Sequence, residues 1–334
     1  MKSLSYVLFV LLISISCQKS QKEQTSKYET IGSIEVLDDR LKEVIDPNAK
    51  IEIIASGFSW SEGPVWVEEL NSLLFSDVPE NKIYSWSEKD SIQLFISPSG
   101  FTGYAPHSSE QGANGLILDD QGTLLICQHG ERRVASYDLS IQNADFSTVV
   151  AEYLGKRFNS PNDIVLAKSG NLYLTDPPYG LQDQDQDSLK ELAFNGVYMF
   201  TPQTKKVELI DSTLSRPNGI GLSPDEKLLI VANSDPSRPI WRNYDLSESQ
   251  VKNELLFDAS HLVSDRKGLP DGLKINKQNI IFATGPGGVL ILNSKGEHLG
   301  SILTSKSTAN CALSPDEKTL YMTANDLLLR VDLK

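Results

Sequence analysis

SPNDIVLA at 160–167 and RPNGIGLS at 216–223 share one layout: an Asn, then Asp or Gly, then a run of alternating apolar residues. The same layout begins at Glu62 in SEGPVW (61–66), Asn114 in GANGLILD (112–119), Asp271 in LPDGLKIN (269–276) and Asn310 in TANCALSP (308–315). The six anchor residues are separated by 52, 48, 56, 53 and 39 positions. Between anchors the chain alternates short period-two strands with turns. The second copy runs NGLILD, the turn DDQG, TLLICQHG, RRVASYD and FSTVVAEY. The turn PDEK occurs at the same place in the fourth and sixth copies. Four short strands repeated every ~40–50 residues are the signature of a β-propeller. A β-helix would need shorter repeats, and a sandwich would show no internal similarity.

The sequence therefore predicts an all-β fold, a six-bladed β-propeller with four-stranded blades, over residues 51–334. Each anchor follows an outer strand, and the chain ends on LLLRVDL, a third strand with no fourth behind it. Residues 51–55 are predicted to supply the missing outer strand of the last blade and close the ring, pairing an edge that would otherwise be open. Residues 17–50 read as a tether and surface connector. Deleting them is expected to leave the fold intact, whereas deleting 51–56 is expected to destabilise it severely.

Composition narrows the function. A net charge of −13 argues against a nucleic-acid partner, because a phosphate backbone would be repelled. Residues 1–16 read as a signal peptide of lipoprotein type: Lys2 is followed by an apolar stretch too short to span a bilayer, and Ile15-Ser16-Cys17 resembles a bacterial lipobox. That predicts export, a lipid anchor at Cys17 as the sole membrane attachment, and a periplasmic-side, outer-membrane location. A plain secretory signal is the alternative. Cys127 and Cys311 lie in apolar strands of different repeats and are expected to be buried free thiols.

In a propeller, the start of each innermost strand faces the central channel at one mouth. The anchors Glu62, Asn114, Asn162, Asn218, Asp271 and Asn310 would then converge as oxygen donors, two of them anionic. Such a set suits a hard cation such as Ca²⁺. The ends of the second strands carry Asp77, His129, Asp176, Asn233, Gly285 and Asn325 to the same face, as supports for the metal and a floor for substrate.

The motifs SEGPVW, LLFSDVPENKIYSW, CQHGERRV, RFNSPNDIV, LTDPPYG, NGVY, RPNGIGLSPDE and LPDG, in this order, resemble the gluconolactonase, regucalcin and luciferin-regenerating enzyme family, and most closely its bacterial gluconolactonase branch. The resemblance covers about residues 35–334. It implies a six-bladed propeller with an axial divalent metal, commonly Ca²⁺, with Mg²⁺, Zn²⁺ or Mn²⁺ as alternatives. It also implies Glu62, Asn218 and Asp271 as ligands, with Asn162 contacting metal or substrate. In the regucalcin branch an Arg stands two residues before that Asn; here the position is Ser160, with Arg157 as a candidate substitute.

The expected reaction is hydrolysis of a small-molecule sugar lactone, with the metal polarising the carbonyl and Asp271 activating water. Asn114, Asn162 and Arg157 would bind substrate, His129 would carry a proton, and Asn310 would keep only a turn role. Two alternatives remain: a lipid-anchored sugar- or ligand-binding propeller with a structural metal, and a related phosphotriesterase or other lactonase. No GxSxG elbow supports a serine nucleophile.

Overall fold

The computed structural model describes residues 27–103, 108–141, 143–247 and 251–334; the proposed signal peptide, Cys17 and His107 lie outside them. The described chain is almost entirely β, folded into six antiparallel sheets arranged as the blades of a propeller. Blade one is built from Ser61–Val67, Ser72–Asp77, Lys82–Ser87 and Ser91–Ile96, from the axis outward. Blades two, three and four repeat this order, opening on Ala113–Leu118, Ile164–Leu166 and Pro217–Leu222. Blade five opens on Leu273–Ile275 and blade six on Asn310–Leu313. Ile51–Ser56 runs antiparallel to Leu327–Asp332, with Ser56 opposite Leu327 and Glu52 opposite Arg330, as the fourth strand of blade six.

The second strands of the blades are buried at successive positions and so on both faces, and the cores form where neighbouring blades press together. Leu74 and Ile83 of blade one pack on Leu116 and Ile126 of blade two. Equivalent clusters fill the other five interfaces. Cys127 and Cys311 are buried free thiols in two of these clusters.

The segment before residue 51 is more than the surface connector the sequence suggests. Thr30–Ile31 pairs with Ile51–Ser56, and Ser33–Val36 pairs with His298–Leu303, giving blades six and five a fifth strand each. A 3-10 turn at Asp39–Glu43 then plugs the groove between those blades with Leu41 and Ile45, both fully buried against Leu299, Ile302 and Val331. Its sequence shows no long periodic run, because the strands are only two and four residues long. The partners of Ser33–Val36 lie more than 250 residues away, so local pattern could not reveal that pairing.

The burial of Leu41 and Ile45 makes residues 30–45 part of the packed structure, where the sequence suggested a dispensable connector. Leu41→Ala is expected to cost about 2–5 kcal/mol, the range for deleting a fully buried leucine. Chemical denaturation at fixed ionic strength checks this, and a change below about 0.5 kcal/mol would show the segment to be a loosely held strap.

Candidate active site

The inner strands approach so closely at one mouth that the residue after four of the anchors has almost no room. At Gly63, with φ +50°, an added Cβ would lie 2.0 Å from the carbonyl oxygen of Asn114. At Gly272 it would lie 2.0 Å from Cγ of Asn310. Glycine follows four of the six anchors for this reason, and the bulges just inside blades one, two and four re-aim the anchor side chains. The anchors are locked to neighbouring blades by hydroxyls on second strands. Ser76 donates to the Asn114 carbonyl at 2.8 Å and Thr175 to the Asn218 carbonyl at 2.6 Å.

The axis opens into a cavity of 620 Å³ lined by Glu62, Asn114, Asn162, Asn218 and Asp271. Its walls add Trp60, Glu110, Tyr179 and Arg266, all from loops. The volume suits a sugar-sized ligand. Asn114 Nδ2 donates to Asn162 Oδ1 at 3.0 Å, and Asn162 Nδ2 donates to Asn218 Oδ1 at 2.7 Å, so three anchors form one amide chain. Glu62 accepts the N–H of Gly63 at 3.0 Å.

The carboxylates carry the electrostatic strain. Burial, reinforced by Asp163 and Glu110, pushes Glu62 up to about 8, while the Gly63 N–H opposes it. Asp271 is driven well above the ordinary carboxylate range by burial first, then by repulsion from Glu62 and Asp163. Asp271 Oδ1 and Asn114 Oδ1 are both shielded from solvent without a hydrogen-bond partner. Orphaned oxygens beside mutually repelling carboxylates fit a hard divalent cation. Among the described residues no three His, Cys, Asp or Glu side chains converge on one point, so amide oxygens would have to complete the donor set.

One axial carboxylate escaped the sequence reading. Asp163 is buried and occupies the place that glycine holds after four of the other anchors. It accepts the N–H groups of Ile164 at 2.9 Å and Ile220 at 3.4 Å. Burial raises its pKa, and the ammonium of Lys274 is the strongest opposing influence. Lys274 Nζ donates to the Leu273 carbonyl at 3.0 Å and to Asn310 Oδ1 at 3.4 Å. The Asn310 amide also stands close enough to Glu62 and Asp163 to favour their charged forms. Asn310 is therefore a bridge between the acidic ring and an internal cation, contrary to the bare turn role expected of it. The break in the Gly pattern at 163 was the available signal.

Two further expectations are corrected. His129 is fully buried and does not line the cavity. Nδ1 lies 3.0 Å from the Glu110 carbonyl oxygen and Nε2 lies 3.2 Å from Asn162 Oδ1, while burial lowers its pKa to about 4. Both facing atoms are acceptor oxygens, so the neutral ring, with a single N–H, donates to one of them, and it reaches the cavity only through Asn162 and the Glu110 backbone. Arg157 is exposed, on a hairpin of Glu152–Tyr153 with Lys156–Arg157. Its Nη2 donates to the Glu131 carbonyl at 3.0 Å, away from the cavity lining. Ser160 is buried and ties down the following turn, accepting the Gly180 N–H at 2.9 Å. The guanidinium that does line the cavity is Arg266, held by Glu35 through two hydrogen bonds of 2.9 and 2.8 Å.

The second-strand ends stand behind the cavity as supports. Asp77 accepts the N–H groups of Ser59 and Trp60 at 3.0 and 3.1 Å, fixing the loop before Glu62. Asp176 accepts those of Asn159 and Ser160, both at 2.8 Å, and Asn233 accepts that of Arg216 at 2.9 Å. None of the six lines the cavity as a floor for substrate.

A six-bladed propeller with an axial cup of carboxylates and amides defines the class. Within it, the SMP-30/Gluconolactonase/LRE-like region matches residues 60–326, and the chain belongs to that family. A gluconolactonase of Zymomonas mobilis is 40% identical over 313 residues, spanning 91% of this chain and 87% of the relative. The lactonohydrolase oryL of Aspergillus oryzae is 23% identical over 305 residues, spanning 83% and 68%. The structure of a gluconolactonase from Xanthomonas campestris superposes with a TM-score of 0.79 at 25% identity, covering 93% of this chain and 99% of that one.

Replacing Lys274 by Met is expected to cost about 2 kcal/mol, since it leaves Asp163 and Asn310 without their charged partner. Adding Asp163→Asn to that variant should recover part of the loss. A double-mutant cycle with no coupling would show that the two groups act independently.

Proposed function

We propose that this protein is a divalent-cation-dependent lactonase acting on a sugar lactone. The observation that carries the reading is the pair of orphaned oxygens, on Asp271 and Asn114, beside Glu62 in a sugar-sized cavity. The 40% identity to a gluconolactonase over most of both chains supports the substrate class. Glu62, Asn218 and Asp271 would hold the cation, with Asn162 alongside. Calcium is the preferred ion because every donor is a hard oxygen and two are anionic. A bound cation would polarise the lactone carbonyl and offset negative charge as it develops on that oxygen.

The remaining work falls to the chain. Asp271 takes the proton of the attacking water. Asn114 and Asn162 present amide groups to lactone hydroxyls, held in place by their mutual hydrogen bond. Arg266, fixed by Glu35, is the cationic group of the cavity wall and takes the substrate-binding place that the sequence offered to Arg157. Export with lipid attachment at Cys17 stays part of the proposal and rests on residues 1–17 alone. Palmitate labelling of whole cells, lost in Cys17→Ser, is the expected result; unlabelled wild type would leave a plain secretory signal.

Chelator-treated protein should lose hydrolysis of D-glucono-1,5-lactone and regain it with calcium. At a hundredfold excess over the dissociation constant, calcium should also stabilise the fold by about 2.7 kcal/mol. Asp271→Asn should lose about a hundred- to ten-thousandfold in rate. Failure of every tested lactone to show cation-dependent turnover would favour the ligand-binding propeller.

A further inference from the structure

Opening a lactone requires two proton movements, and Asp271 accounts for one. The second proton must reach the ring oxygen as it leaves. Among the described side chains of the cavity, few can supply it. Arg266 is permanently charged and engaged with Glu35. Burial drives the Tyr179 phenol far above the working range. The anchors contribute amides or the ring carboxylates themselves, and His129 lies behind the wall.

Glu110 is the remaining candidate. It lines the cavity four residues before Asn114, and no hydrogen bond or ion pair engages its carboxylate among the described residues. Its backbone, by contrast, is held on both sides. The Glu110 N–H donates to Ser108 Oγ at 3.1 Å, and its carbonyl faces His129 Nδ1 at 3.0 Å. Ser108 Oγ in turn donates to the Tyr179 carbonyl at 3.4 Å. An immobilised backbone carrying an uncommitted carboxyl into a cavity is how a proton-transfer group is presented.

We propose that Glu110 is a catalytic residue of this site, the general acid that protonates the leaving oxygen of the lactone. The proposal rests on the lactonase reading. The water oxygen bonds to the carbonyl carbon and gives its proton to Asp271. The carbon–ring-oxygen bond then breaks, its electron pair stays on that oxygen, and the oxygen takes the proton of Glu110. Transfer of the Asp271 proton back to Glu110 through solvent restores both groups, so one water is consumed for each hydroxy acid formed. Burial pushes Glu110 up to about 7, which keeps a protonated fraction available near neutrality. The charged and titratable groups around it are Glu62, Asp271 and Tyr179, with Arg266 on the same wall and His129 behind.

The test compares wild type, Glu110→Gln and Glu110→Asp on two substrates, with calcium present and circular dichroism melting as a fold control. D-glucono-1,5-lactone has an alkoxide leaving group that needs protonation; dihydrocoumarin has a phenolate that does not. Glu110→Gln is expected to lose about a hundredfold in kcat on the first, only a few-fold on the second, and the alkaline limb of the pH profile with it. Glu110→Asp should recover part of the loss. Calcium affinity by calorimetry should stay within about threefold of wild type. Equal losses on both substrates, unchanged rates on both, or a parallel collapse of calcium binding would each overturn the assignment. Wild type inactive on both substrates would instead refute the lactonase reading on which it stands.

Discussion

The structure depends on how near six inner strands can come to one axis. At Gly63 and Gly272 the neighbouring blade stands within 2.0 Å of where a side chain would begin, so the ring closes only through backbone. That tightness is what brings the anchor side chains together at the mouth. A wider ring would leave Asn114, Asn162 and Asn218 separately solvated; here they hydrogen-bond one to the next. The same closeness forces Glu62, Asp163 and Asp271 into mutual repulsion. Packing thus creates the electrostatic problem that the chemistry can exploit.

Two different devices offset that repulsion. From below, Lys274 and Asn310 supply a fixed positive charge and a polar bridge to Asp163 and Glu62. From above, Asp271 and Asn114 keep buried oxygens without a hydrogen-bond partner, the donor capacity that the proposed cation would use. A permanent ammonium acts on the folded ring under all conditions, whereas donor oxygens left without a protein partner remain open to whatever binds the cavity. The sequence hides this division, since Lys274 reads as one more residue of an alternating strand.

The blades were legible because their signal is local and repeated: period-two strands, matched turns and an anchor at each start. The ring of anchors followed from register alone. What stayed hidden depends on distant contacts. Residues 30–45 look like linker, yet Leu41 and Ile45 are core, and Glu35 fixes a cavity-wall arginine 231 positions away. Arg157 was attractive because it is near Asn162 in sequence, but its hairpin turns the side chain out to Glu131. His129 sits at the expected strand end, one layer too deep. Asp163 could have been noticed, as a carboxylate where its counterparts in four other blades are glycine.

The remaining wall residues share a reason for being missed. Glu110, Tyr179 and Arg266 lie on the loops that cross the mouth, where no periodicity constrains residue type. Loops can vary without disturbing the blade interfaces, so they are where one propeller can be given different substrates. In this chain they are not loose. Glu35 fixes Arg266, and Ser108 and His129 fix the backbone of Glu110. The anchors converge because strand register leaves them no alternative, and the loop residues hold position because buried polar contacts do for them what the sheet does for the anchors. A functional cup of this kind needs both. Reading its anchor half from sequence is a matter of counting repeats, while its loop half appears only when the loops are seen against the blades that pin them.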